Sequence, residues 1–291
     1  VYLEVKNLDS KDYNYKINYF NNRPLKLSYS SFKSLEYCPG RYFMQNIMYW
    51  KPKDFNERNF CLGSVGHSCL EEWLANGRDE DGNLIIGYMQ SIATKLFDLY
   101  LKKHNVIPLN AQDINNMREK SVVNAQAIED VFIDFGFTEK ALRNETKWKI
   151  KLKAYKNVFL TGVLDLYDED DKVVYDLKVT SSARFMDEDQ ICYYTMMGTL
   201  AGWKVTKCGF IVPLRKDKVV TLSFESEDFK KLYERVKKAI GVIGSSLHTG
   251  KWLLNYDKTN CYQCPVKAFC PAAKEAEKPI DRPMEDGRIK L

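Results

Sequence analysis

Between Val158 and Val179 the chain reads VFLTGVLDLYDEDDKVVYDLKV. Two runs rich in Val, Leu, Tyr and Phe flank a short acidic stretch. β-branched and aromatic residues favour strands, and a polar interruption between two such runs favours a hairpin. This stretch commits the middle of the chain to a sheet. The acidic run Asp168 to Asp171 reads as a solvated turn. Just upstream, TKWKIKL alternates Trp148, Ile150 and Leu152 with lysines, the pattern of a half-buried third strand. Further strands are expected near 205–212 and 218–224.

The first half is mostly helical. Ser30 or Ser31 can cap a helix beginning near Phe32, and Pro39 and Gly40 should break it after Cys38. A second helix is expected from about Ser64 to Gly77, and others over 88–103 and 116–135, the last with Val123, Ala127, Phe132 and Phe135 at apolar positions. A helix over 187–201 carries acids in its first turn, where the helix dipole favours them. The final helix sets Phe229, Leu232, Val236, Ile240, Ile243 and Leu247 on one stripe. Its lysines, Lys230, Lys231, Lys237 and Lys238, are a solvated face or phosphate contacts.

The chain has 291 residues, 45% of them hydrophobic, which excludes disorder by composition and allows one large or two small cores. No apolar run is long enough to span a membrane. The opening VYLEVKNLDSKDYNYK is too polar and acidic for a signal peptide. With 44 basic against 39 acidic residues, the net charge of +5 permits a polyanionic partner without demanding one. Eight cysteines without a secretory signal suggest reduced thiols and an intracellular, cytoplasmic setting, viral origin included. Residues 1–24 form a polar arm rich in Tyr and Asn.

Residues two apart on a strand share a face, so Val174, Asp176 and Lys178 lie on one side and Tyr175, Leu177 and Val179 on the other. Hairpin pairing can bring Asp165 beside Asp176. Adjacent carboxylates repel unless a proton or cation intervenes, and a hard divalent ion suits oxygen ligands. A lysine beside that ion can orient a water or offset charge growing on phosphorus. The competing reading is a plain Asp176–Lys178 salt bridge.

The stretch LTGVLDLYDEDDKVVYDLKVTS resembles the core motif of PD-(D/E)XK nucleases, in their RecB-like exonuclease branch. Gly162 and Asp165 fit its first half, and Asp176, Lys178 and Thr180 its second. Gln190 and Tyr194 match the branch's Q-x-x-x-Y motif, and Gly63 and His67 its G-x-x-x-H segment. Glu145 sits where many relatives carry a further acid. The motifs occur in family order over residues 28–270.

The resemblance implies a mixed α/β, restriction-endonuclease-like sheet flanked by helices. It implies Asp165, Asp176, His67, Glu145 and the Leu177 carbonyl as Mg²⁺ or Mn²⁺ ligands, Lys178 as the catalytic lysine, and Gln190 and Tyr194 lining the site. The implied activity is metal-dependent hydrolysis of DNA, on single strands or ends, in recombination, repair or CRISPR adaptation. A DNA-binding chain that keeps the fold without cutting is the alternative. Tyr29, Tyr37, Tyr42, Phe43 and Trp50 are candidates for stacking on bases, with packing as the competing reading.

Cys261-x2-Cys264-x5-Cys270 has the spacing of a metal or cluster site. Tetrahedral sulfur ligation needs a fourth donor, and Cys38 in EYCPGRY is the natural candidate. Some RecB-like members, including AddB-type helicase–nucleases and CRISPR-associated exonucleases, place one cysteine early and three late around a [4Fe–4S] cluster. By that resemblance Cys38, Cys261, Cys264 and Cys270 hold such a cluster; zinc is the competing occupant. Cys61, Cys69, Cys192 and Cys208 read as small buried residues. The implied division is a polar arm over 1–24, a helical region over 25–140, a nuclease core over 141–250 and a cluster-bearing segment over 251–291. No helicase P-loop is present, so an unwinding, recombination or CRISPR partner would be a separate chain.

Overall fold

A computed structural model of the chain describes residues 2–4, 24–50, 56–110, 112–155, 157–255, 261 and 264–276. In chain order the elements are β1 (Tyr2–Glu4), β2 (Leu25–Ser28), α1 (Tyr29–Tyr37), α2 (Pro39–Tyr42) and a π-helical turn (Phe43–Ile47). Then come α3 (Arg58–Asn76), α4 (Tyr88–Lys103) and α5 (Asp113–Asp134). The sheet region holds β3 (Leu142–Lys151), β4 (Val158–Asp168), β5 (Val173–Leu177), α6 (Glu188–Leu200), β6 (Lys207–Ile211) and β7 (Val219–Leu222). The chain continues through α7 (Ser226–Thr249), β8 (Lys251–Leu253) and α8 (Pro271–Ala276). It divides into two compact units.

The larger unit comprises Pro24–Tyr29 and Asp54–Lys237 and is a mixed sheet flanked by helices. The strand order is β2-β4-β5-β6-β7, with β3 on the other side of β4. β2 runs parallel to β4, and β5 parallel to β6; the β3–β4, β4–β5 and β6–β7 pairs are antiparallel. All five residues of β5 are buried, as expected for a strand covered on both faces. On one face α3, α4 and α5 share a core with the sheet, through Trp73, Phe97, Ile128 and Phe132 against Leu166, Tyr175, Leu177 and Ile211. At α6, Gly198 packs against the Trp148 indole.

α3 begins at Arg58, six residues before the expected Ser64 start. The reason is tertiary: the Arg58 guanidinium grips both oxygens of Asp113, each at 2.6 Å, and fixes the extra turn. β2 was not anticipated, because its four residues acquire strand character only by pairing with β4.

The smaller unit comprises Val1–Arg23, Ser30–Lys53 and Lys238–Leu291. In it β1 and β8 form a two-stranded antiparallel sheet. Trp252 is fully buried, its ring centroid 4.9 Å from that of Phe43 and 6.2 Å from that of Tyr42. Cys38 is extended between α1 and α2, and Pro39 opens α2 where its missing N–H costs nothing. Most of the expected N-terminal arm lies outside the described residues. Among the described residues no helix is long and apolar enough to cross a membrane.

Candidate active site

The larger unit's sheet has a gap built into it. β4 pairs with β2 as far as Thr161, opposite Ser28, and with β5 only from Leu166, opposite Tyr175. Residues 162–165 fall between the two partners. There the edge of β4 away from β3 is open, and the Asp165 side chain fills the opening: its Oδ2 accepts the Leu177 N–H at 2.8 Å. A carboxylate thus takes a hydrogen bond that a strand would otherwise supply. β5 meanwhile stays paired to β6 through Leu177 and Ile211, which keeps Asp176 and the start of the following segment fixed. The Lys178 N–H then donates to the Ile211 carbonyl at 2.8 Å.

Six side chains meet at this opening. Asp165 Oδ1 lies 3.3 Å from His67 Nδ1 on α3. Lys178 Nζ lies 2.8 Å from Asp176 Oδ2 and donates to Gln190 Oε1 at 2.9 Å. Gln190 Nε2 donates in turn to the Tyr194 hydroxyl at 3.4 Å. Gln190 and Tyr194 are four apart on α6, hence on one helix face. Gly162 lets that face approach: a Cβ there would sit 3.0 Å from the Tyr194 ring.

α3 is brought in by a glycine that the motif did not single out. A Cβ on Gly66 would lie 2.8 Å from a Val179 methyl, so only glycine allows the contact that places His67 beside Asp165. Gly63, the glycine named from the motif, has open space around it. α6 is fixed by residues the sequence reading also missed. Arg235 grips both oxygens of Asp189, at 2.7 and 2.9 Å, and the Tyr29 hydroxyl donates to Asp187 Oδ2 at 2.5 Å. Asp187 caps α6 by accepting the Asp189 N–H. Tyr29, Tyr42 and Phe43 are buried, which corrects their candidacy for base stacking; Tyr37 is exposed.

Burial, then the nearby Asp165 carboxylate, push the Asp176 acid up to about 6, against the opposing pull of Lys178 and His67. Asp176 is 3% exposed, and its Oδ2 has no aligned hydrogen-bond donor, since the Lys178 ammonium sits within ion-pair reach but off the bonding direction. Burial disfavours the His67 imidazolium, but Asp165 outweighs it and raises His67 above its ordinary value. The opening therefore sets two carboxylates against an imidazole and an ammonium and leaves one carboxylate oxygen without an aligned donor. Among the described residues no three His, Cys, Asp or Glu side chains form a ready-made metal cage. The donors have instead turned to one another, His67 to Asp165 and Lys178 to Asp176. Two carboxylates, one of them with an under-satisfied buried oxygen, and an imidazole nonetheless form a donor set suited to a hard divalent cation. Glu145 sits in β3 between Asn144 and Thr146, which pair with Leu166 and Leu164; its side chain lies outside the described residues.

The cysteine group lies in the smaller unit. Cys38, Cys261, Cys264 and Cys270 line one pocket with Tyr37, Arg41, Met44 and Leu254. Cys38 Sγ also accepts the Arg41 N–H at 3.4 Å. Burial raises the Cys264 and Cys270 thiols. The remaining cysteines are buried, and burial pushes Cys61 up to about 11 and Cys69 and Cys192 to about 12, the behaviour of inert core thiols.

Two solved structures resemble the chain. One is "Crystal structure of SSO0001", with 10% identity, TM-score 0.38 and coverage of 91% of this chain and 96% of the other. The other is a "Putative exonuclease" from Eubacterium rectale, with 12% identity, TM-score 0.49 and coverage of 98% and 96%. No curated protein matches the chain. The family model of the PD-(D/E)XK nuclease superfamily matches residues 26–271, a span that includes the split sheet, its carboxylates and the lysine that follows them. The chain belongs to the PD-(D/E)XK nuclease superfamily.

Proposed function

We propose that the chain is a Mg²⁺- or Mn²⁺-dependent DNA exonuclease of the RecB-like branch, acting on single strands or ends. One observation carries the reading: Asp165, Asp176, His67 and Lys178 converge where β4 lies between its two partner strands. Asp165, Asp176, His67 and the Leu177 carbonyl would hold the ion, with Glu145 as a further acid; when bound, it supplies Lewis acidity and a low-pKa water. Lys178 keeps an ammonium beside the carboxylates, where it can hold the attacking water and offset charge growing on phosphorus. Gln190 orients that ammonium through its 2.9 Å hydrogen bond, and Tyr194 orients Gln190. Residues 141–250 form the nuclease core on this reading.

Cys38, Cys261, Cys264 and Cys270 would hold a [4Fe–4S] cluster, since all four line one pocket. The cluster would be a staple, its binding energy becoming folding energy for segments 261 − 38 = 223 positions apart in sequence. DNA is the proposed partner, with any helicase, recombination or CRISPR protein as a separate chain.

The Lys178–Asp176 ion pair favours a second reading, a DNA-binding protein that keeps the fold without cutting. One experiment decides between them. Labelled single-stranded DNA is incubated with Mn²⁺ and either wild type or Asp176→Ala. Wild type should shorten the strand from an end and the variant should leave it whole; intact DNA bound by both would reject the nuclease reading.

A further inference from the structure

The half of the sheet on the β2 side of the gap carries an open basic face. Directly paired residues on adjacent strands point the same way, and residues two apart on one strand do too. β3 pairs Lys147 with Val163, Lys149 with Thr161 and Lys151 with Phe159, and β2 pairs Lys26 with Phe159. These side chains therefore share one face, and Asp165 follows Val163 by two residues along β4. Lys26, Lys147, Lys149 and Lys151 are all exposed, and Val163 is 39% exposed. The Lys149 ammonium lies 4.6 Å from the Phe159 ring centroid. Among the described residues none of the four lysines is in an ion pair, and these three strands place no described acid on the face before Asp165.

Edge strands often carry lysines to block pairing with other chains. β2 and β3 are both edge strands, so that would account for each lysine singly. It does not account for four lysines gathered on one face of three adjacent strands.

We propose that this face is the track for a single-stranded polynucleotide entering or leaving the carboxylate site. The inference deepens the nuclease reading and rests on it for the position of the reacting phosphate. Successive lysines on one strand face are about 6.8 Å apart, comparable with adjacent phosphates on a stretched single strand. Lys147, Lys149 and Lys151 would each meet one phosphate, Lys26 would flank them, and Phe159 would offer a surface for a base. Three lysines in one row, at the spacing of successive phosphates, match a single backbone, so the occupant is one strand.

The test is the salt dependence of binding. A fluorescent single-stranded oligonucleotide is titrated in chelator, where nothing is cut, at several salt concentrations. For single strands the slope of log affinity against log salt is about −0.7 per phosphate neutralised. Replacing Lys147, Lys149 and Lys151 with Gln should flatten that slope by about 2. Replacing Lys95, Lys102 and Lys103 of α4 with Gln removes the same charge elsewhere and should leave the slope as in wild type. An Arg triple at 147, 149 and 151 should retain the wild-type slope, which guards against a folding defect. An unchanged slope in the β3 Gln triple, an equal loss in the α4 triple, or no binding by wild type would overturn the track. Binding with the expected slopes but no cleavage in Mn²⁺ would instead overturn the nuclease reading and leave the track standing.

Discussion

Asp176 is an expensive side chain to keep. It is almost wholly buried, lies near a second carboxylate and has an oxygen without an aligned donor. Its folded pKa, raised to about 6, means that the folded state favours the protonated acid. The linkage follows: without a divalent ion, stability is lost as pH rises from the ordinary carboxylate range through about 6. Asp176→Asn should therefore raise the Tm in chelator at pH ~8, on the order of 2–4 °C, while cutting cleavage by about 100-fold or more. A lower Tm in chelator would show that the carboxylate stabilises the fold. Asp165, Asp176 and Lys178 were legible as a group because strand periodicity is local, whereas Gln190 and Tyr194, though four apart on one helix, were named through the family motif. His67 was legible only through its motif. The 165 − 67 = 98 residues separating it from Asp165 are bridged by the close approach at Gly66, which leaves no local pattern. The Asp189–Arg235 and Tyr29–Asp187 pairs are equally non-local and left no signal in the sequence.

The helices differ in how well their limits could be read. α4 spans Tyr88–Lys103, the limits expected of it. α3 extends back to Arg58 because a partner on α5 holds it there. Asp113, the first residue of α5, also accepts the Leu109 N–H at 2.9 Å, so one carboxylate fastens two helix starts and a loop. The Arg58 hydrogen bond, then that backbone N–H, hold Asp113 down to about 2. A depressed acid contributes stability that is present above its ordinary value and lost as pH falls toward the folded one. Wild type should thus lose Tm between pH ~4 and ~2 more steeply than Asp113→Asn, which should melt lower at neutral pH. Parallel acid limbs would show that the pair contributes nothing. Strand order was the least legible feature. Hairpin signals predict β4 beside β5, but nothing local says that β2 joins β4 upstream of the gap.

At the scale of the whole chain, the smaller unit is assembled from both ends of the sequence. Cys38 comes from one end and Cys261, Cys264 and Cys270 from the other, yet all line one pocket. Cys38→Ser tests whether that pocket holds a cluster. Serine can still cap α2, so the helix start is preserved while a thiolate ligand is lost. Anaerobically purified wild type should show a broad visible absorption band and bound iron, and the variant should lose the band and melt lower. A colourless, zinc-containing wild type would reject the cluster. The composite build also governs how the molecule comes off the ribosome. Tyr42 and Phe43 emerge roughly two hundred residues before Trp252, the ring they stack on. Until then the ring that both pack against is absent. Cutting back the chain before Trp252 would not trim an appendage; it would remove a ring against which both of those pack.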